Sequence, residues 1–356
     1  MRKFFIILIG VLMMSGSYAQ TFKAGAALRN ITPDPLLPLS SGGIGKPTPS
    51  TKKLGDLFVR ALVIEKGDTR VAIVNVDNMG WPAVVGDRSR ALIKGIPVEN
   101  ILIGASHTHS APDAYAFPDA EGNVTTNFEY LDWCVEMIAE AVNEALAKLE
   151  PASLKIAVGE AKGKIALNYY AEKLYDPRCG VIQAISKNGN TIATLLNYAT
   201  HPEIIGDNEG ITTPDLCGPL YTRLEEKAGG VALFMNGAQG GMVSADDRGS
   251  DGKSMGTWEE CVRIGELMAD EALRIVANAE VQENPDVLCD SKVIELPVES
   301  ETMQFILKHS TMGYKTTPNM GIETRINLLN IGTAQILTIP GEALPNIGFY
   351  LKRKMN

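Results

Sequence analysis

GVIQAISKNGNTIATLLNYATHP, residues 180–202, holds the turn on which the reading of the fold depends. An apolar run, the tetrapeptide KNGN and a second apolar run follow one another. Asn-Gly between two such runs supplies the left-handed backbone that a tight hairpin needs, so two antiparallel strands are expected here. Working outward, LFVRALVIEKGDTRVAIVNVDNMG (57–80) reads as another strand pair turning at 66–69, and ETRINLLNIGTAQILTIP (323–340) as a last hairpin. Helical spacing of apolar residues marks 84–94, 127–150 (stopped by Pro151), 215–228, 257–279 and a terminal helix over 343–354. NILIGAS (100–106), LKIAVGEA (154–161), VALFMNG (231–237) and 287–297 read as strands, with a short helix after the last. Strands and helices alternate, yet the hairpins fit poorly with a purely parallel eight-stranded barrel. The expected class is α/β (α+β), mixed sheets with hairpins covered by helices. The stretch 32–51, rich in Pro, Gly, Ser and Thr, should be a long surface loop. No linker and no internal repeat is visible, so 20–356 reads as a single domain.

The first residues, MRKFFIILIGVLMMSGSYAQ, give a basic start, an apolar core and small residues around Tyr18. That is a secretory signal peptide over 1–19, cut after Ala19, and it directs the chain to the periplasm or the medium. Its apolar part is shorter than the roughly 20 residues of a spanning helix, so no transmembrane segment is expected. At 45% hydrophobic and 21% charged the rest can build a sizeable core. A net charge of −9 excludes a nucleic-acid footprint and leaves a small-molecule or lipid-like substrate as the partner. The five cysteines are scattered and odd in number, which suits buried thiols better than a zinc ribbon or a disulfide framework.

The chemistry gathers after strand ends. The chain has four histidines, and two of them stand in GASHTHSAPD (104–113). If the strand continues, His107 and His109 point to one face and can meet a cation together, or one can meet the cation and the other a substrate. Two loop histidines satisfied by hydrogen bonds explain the pair equally well. LLNYATHPEIIG (195–206) ends another apolar run with His201, whereas His309 falls in a polar helical stretch and reads as structural. ILTIPGEALPNIG (336–348) places Glu342 at the opening of a helix, as a cap or as a third metal ligand. VALFMNGAQGGMVSADDRGS (231–250) breaks into a Gly-rich loop with Asn236, Gln239, Asp246 and Asp247; its backbone could approach a ligand closely and meet a developing oxyanion. It lacks the Lys-Ser/Thr signature of a phosphate loop. Asp77 and Asp113 are candidates to orient the histidines, with turn or cap chemistry as the alternative.

Taken as an ordered set, ASHTHSAPD, NYATHPEIIG and TIPGEAL, with FKAGAALRNITP near the start, resemble the N-terminal catalytic domain of the neutral (non-lysosomal) ceramidases. The resemblance implies that family's fold and a zinc amidase acting on an N-acyl lipid, in a short form lacking the family's C-terminal domain. It implies His107, His201 and Glu342 as zinc ligands and His109 as a substrate-facing residue, with Gln239 and Asp246 in the catalytic loop. The pattern also departs from the family. The family's downstream tyrosine ligand has no clear equivalent other than Tyr350. Its active-site serine falls near Ala238, Ser244 aligns with a later serine, and Tyr169 stands where an arginine is expected, with Arg178 nearby in sequence. Three alternatives remain open: a hydrolase of sugar-linked compounds, an amidohydrolase barrel, and a non-catalytic binding protein of the same fold.

Overall fold

The computed structural model describes residues 20–40, 46–119, 121–206 and 209–355; the segment read as a signal peptide, 1–19, lies outside them. Within the described residues one arrangement of strands and helices occurs twice. The first half runs through β1 (Lys23–Asn30), the short β2 (Lys52–Lys53), β3 (Phe58–Lys66), β4 (Thr69–Val76), α1 (Ala83–Leu92), β5 (Ile101–Ala105) and α2 (Phe128–Ala147). The second contains β6 (Glu150–Glu160), β7 (Ala166–Asn168), β8 (Arg178–Ser186), β9 (Thr191–Tyr198), β10 (Ile211–Thr212), α3 (Cys217–Ala228), β11 (Val231–Asn236), β12 (Val243–Ala245) and α4 (Trp258–Val276). The chain closes with β13 (Val281–Gln282), β14 (Val287–Pro297), α5 (Glu301–His309), β15 (Gly321–Ile331), β16 (Ala334–Leu337) and α6 (Pro345–Met355).

The main sheet runs β11-β9-β8-β6-β1-β3-β4-β5, with β13 beside β6. Read from its centre, each half gives three antiparallel strands. A crossover containing α1 or α3 then leads to a fourth strand, parallel to the third: β5 beside β4, β11 beside β9. The halves join where β1 meets β6, at Lys23↔Pro151 and Ala24↔Glu150. From there the sheet doubles over on itself, and its far ends touch. A Cβ added to Gly104 of β5 would lie 3.0 Å from the Met235 sulfur of β11.

The doubling explains the long apolar runs in the sequence. In β3, Val59, Ala61 and Val63 face outward to α2, while Leu62 and Ile64 face the opposite leaf beside Ile182, Leu195 and Leu233. Strands buried on both faces lose the simple alternation of a half-exposed strand. α2 packs Tyr130, Cys134, Ile138 and Val142 on the first leaf. It approaches β1 so closely that a Cβ on Gly25 would fall 2.2 Å from the Ala145 carbonyl oxygen. α3 and α4 cover the second leaf around Leu196, Tyr198 and Phe234. The sheet β14-β15-β16 adds Val287, Leu329 and Ile331 to the core between the leaves.

The Asn-Gly signal corresponds to the β8–β9 hairpin, with Gly189 at φ 83° and an irregular register between Ala184 and Ile185. Asn127 caps α2 by accepting from the Tyr130 N–H, and Thr257 caps α4 by accepting from the Glu260 N–H. The class is α/β with mixed sheets, as expected. Two local readings change. Pro151 lies inside β6 just after α2 ends, so the expected strand begins earlier than 154. The proline-rich stretch is not wholly on the surface: Leu39 is fully buried, and the Ser40 N–H donates to the Ala111 carbonyl. All five cysteines are thiols, Cys134, Cys179, Cys217 and Cys261 buried and Cys289 partly so. Among the described residues no helix is long and apolar enough to cross a membrane.

Candidate metal centre

The segments leaving β4, β5, β9 and β11 converge. After β5 the chain turns at His107, a non-glycine residue held in left-handed backbone at φ 73°. Such a residue is strained unless its surroundings enforce it. Here its N–H donates to the Asn78 carbonyl at 2.9 Å, and its ring Nδ1 bonds the Met79 carbonyl, both just past β4. His201, past β9, directs its backbone N–H and its Nδ1 to the Val243 carbonyl, each at 2.9 Å. A carbonyl only accepts, so both rings keep a proton on Nδ1, and Nε2 is the atom left to meet a carboxylate or a cation. The Asn236 amide, at the end of β11, donates to the Ser106 carbonyl and ties the two leaves beneath the histidines.

Glu342 bridges those two Nε2 atoms. Its Oε1 lies 2.9 Å from His107 Nε2 and its Oε2 3.3 Å from His201 Nε2. His109 Nε2 is 3.4 Å from His107 Nε2, and its backbone N–H donates to the Pro202 carbonyl at 3.2 Å. Ligands placed 2.0–2.1 Å from a tetrahedral zinc are separated by about 3.3 Å. The Glu342 separations of 2.9 and 3.3 Å lie around that edge, so the carboxylate and the two histidine nitrogens fit a divalent cation. One donor atom from each of His107, His109 and His201 falls within 4.8 Å of the others, which makes these three a group able to hold a metal ion. Hydrogen bonds to His107 and His201 hold the Glu342 carboxyl well below the usual carboxylate range. Burial opposes charge on His201, but Glu342, Glu203 and the Val243 carbonyl outweigh it and raise its pKa.

A cavity of ≈ 240 Å³ opens beside the group, lined by Met79, His107, His109, Tyr115, Phe117 and Glu342. The aromatic wall was not read from the sequence, although AYAFPD (114–119) begins only five residues past His109. Tyr115 and Phe117 stack with ring centres 5.0 Å apart. Their loop is pinned by the Tyr314 hydroxyl on the Tyr115 carbonyl (2.8 Å) and the Ser310 hydroxyl on the Ala116 carbonyl (2.7 Å). Asp113 belongs to this support. Its carboxylate accepts from the backbone N–H groups of Tyr115 (3.1 Å) and Ala116 (2.9 Å), making a turn and not a bond to histidine. Asp77 likewise turns from the rings, toward the Phe58 N–H and the Tyr221 hydroxyl.

The remaining candidates divide. Glu342 precedes α6 by three residues and turns its carboxylate to the histidines. Gln239 is buried in the glycine-rich loop, with its Oε1 unpartnered. Asp246 points elsewhere: its carboxylate grips Arg248 through two contacts of 2.8 Å, with Lys164 at 3.8 Å. Asp247 accepts from Ser254 and from the N–H groups of Met255 and Gly256. Arg178 pairs with Asp176, and Tyr169 is half exposed. α6 does fold back on the glycine-rich loop, but through Gly348 against Ala238 and through Lys352 bonded to Asp176. Tyr350, two residues from each, faces away and is exposed. His309 stacks on Phe305 in α5, away from the site. One contact escaped the sequence reading altogether: Glu203 faces His109, and nothing in the spacing signals it.

The sequence matches no protein-family model, and no curated protein matches it. Solved structures do. The chain is similar to the crystal structure of neutral ceramidase from Pseudomonas aeruginosa, with a TM-score of 0.74 at 18% identity over 94% of this chain and 64% of that one. It is equally similar to a ceramidase complexed with C2, with a TM-score of 0.74 at 17% identity over 94% of this chain and 65% of that one. The fold is thus that of the neutral ceramidases, and the chain spans slightly under two thirds of their length.

Proposed function

We propose that the chain is a zinc-dependent hydrolase that cleaves an amide or ester bond, with an N-acyl lipid as the leading substrate class. The observation that carries this reading is the Glu342 carboxylate spanning the Nε2 atoms of His107 and His201 beside a cavity. Those three residues would hold the cation, as a set of nitrogen and oxygen donors that suits zinc. When bound, such a cation polarises a carbonyl and makes water a better nucleophile near neutral pH. The rest falls to the chain. The carbonyls of Met79 and Val243 hold a proton on each Nδ1 and so leave Nε2 as the ligating atom. His109 is placed to accept a proton at Nε2 and return it to the leaving group. Met79, Tyr115 and Phe117 shed water from one side of the reacting bond, and Gln239 is assigned to substrate contact. Asp246, tied to Arg248, receives no role. The whole of 20–356 is taken as one catalytic domain, exported on the signal carried by 1–19.

Ala238 and Tyr169, standing where the resemblance leads one to expect serine and arginine, favour a second reading: a binder that keeps the metal without turnover. Metal analysis of the purified protein is the first test. One equivalent of zinc, lost in both His107→Ala and His201→Ala, is the expected result, and full retention in both variants overturns the site. A panel of N-acyl and ester substrates then separates the two readings, because a metal-loaded protein that hydrolyses none of them is the binder.

A further inference from the structure

The rings of His107 and His201 are each fixed at Nδ1 by a main-chain carbonyl. The Nδ1 of His109 instead faces a carboxylate, Glu203 Oε2, at 3.6 Å. We propose that Glu203 is the positioning residue for His109, holding the proton on Nδ1 so that Nε2 meets the substrate side as a base. The carboxylate is itself held, because its other oxygen, Oε1, accepts from the hydroxyl of Ser244 on β12. Ser244 is buried at 1% exposure and forms a bridge with His201, so its hydroxyl is a fixed anchor on the segment paired with a proposed metal ligand.

The distance of 3.6 Å lies just beyond a hydrogen bond. Contacts of this kind tighten when a substrate or metal fills a site. A carboxylate only accepts, so contact with Glu203 permits a single neutral tautomer of His109. In that tautomer the Nε2 lone pair points toward the histidine cluster, 3.4 Å from His107 Nε2. Both side chains are about one-fifth exposed, which lessens screening of the pair by water.

This inference rests on the hydrolase reading for its chemistry, although the tautomer itself does not depend on turnover. The test uses the full chain loaded with zinc and labelled with ¹⁵N-histidine, at a pH where all imidazoles are neutral. With four histidines in the chain, each ring is assigned from its own substitution. The expected wild-type spectrum shows His109 protonated on Nδ1. Glu203→Gln and the milder Ser244→Ala, which covers a Glu203 variant that fails to fold, should each give a mixture of tautomers with zinc content unchanged. In turnover, Glu203→Gln should lower kcat by about 10- to 100-fold at nearly constant KM. A wild-type His109 protonated on Nε2, or one tautomer unchanged in both variants, overturns the proposal. The expected spectra without hydrolysis of any substrate leave the positioning intact and overturn the hydrolase reading alone.

Discussion

Asp77 carries a charge that its surroundings oppose. Its carboxylate is wholly buried, and burial pushes its pKa up to about 6 despite Arg60, the Phe58 N–H and the Tyr221 hydroxyl. The ordinary value is 3.8, so the folded chain holds this proton more tightly than the unfolded one. The stability contributed by that proton is complete below the unfolded value and is lost as pH rises through the folded one. A gap of about two pH units, at about 1.4 kcal/mol each, sets a ceiling of about 3 kcal/mol. Asp77→Asn keeps the shape and removes the titration. In urea melts the stability of the wild type relative to this variant should therefore fall between about pH 4 and pH 7, by up to that ceiling. A difference that stays flat across the window contradicts the burial argument. At the same scale, substituting Asn127 by Ala removes the acceptor for the Tyr130 N–H at the start of α2 and should cost about 1 kcal/mol in the same melts.

Between residue and molecule stands the docking of the C-terminal segment on the glycine-rich loop. The Gly240 N–H donates to the Ala343 carbonyl at 2.9 Å. A Cβ at position 240 would lie 2.8 Å from the Glu342 carbonyl oxygen and 3.0 Å from the Ala343 carbonyl carbon. These are backbone atoms with no rotamer to yield, so Gly240→Ala must displace the segment that carries Glu342. The expected outcome is zinc affinity weakened by about tenfold or more, with the circular-dichroism spectrum of the wild type. Affinity equal to wild type would mean that the segment shifts without moving the carboxylate. The elements themselves were largely legible in the sequence. The β8–β9 hairpin was announced by Asn-Gly, and the terminal hairpin and α6 by their apolar spacing. The short β7, β10, β12 and β13 were not, because ladders of two or three residues have no period to detect. Nor was the contact of α6 with the loop, since a glycine such as Gly348 signals close packing only once its neighbour Ala238 is known.

At the scale of the molecule the doubled topology was invisible in the sequence, because two leaves buried on both faces accept many apolar residues at equivalent positions. The site was more legible than the symmetry. Scarce histidines at strand ends, and a glutamate after a third, pointed to one place. Tyr115, Phe117 and Glu203 did not, since the cavity that the first two line and the His109 contact of the third are set by packing and not by spacing. This division of the site has a thermodynamic consequence. His107 belongs to the first half, His201 to the second and Glu342 to the C-terminal segment, so the proposed donor set exists only when all three are assembled. A cation bound by that set therefore favours the folded chain over the unfolded one. At a zinc concentration about 100 times Kd the stabilisation is about 2.7 kcal/mol. For a chain of this size, with an unfolding entropy of about 2 cal/mol/K per residue, that corresponds to a rise in Tm of about 4 °C. Chelator-treated protein should show that rise on adding zinc, and His107→Ala, His201→Ala and Glu342→Gln should each largely abolish it, although they alter different parts of the chain. A shift that survives in any one of the three would remove that residue from the donor set, and no shift in the wild type would separate metal binding from assembly of the fold.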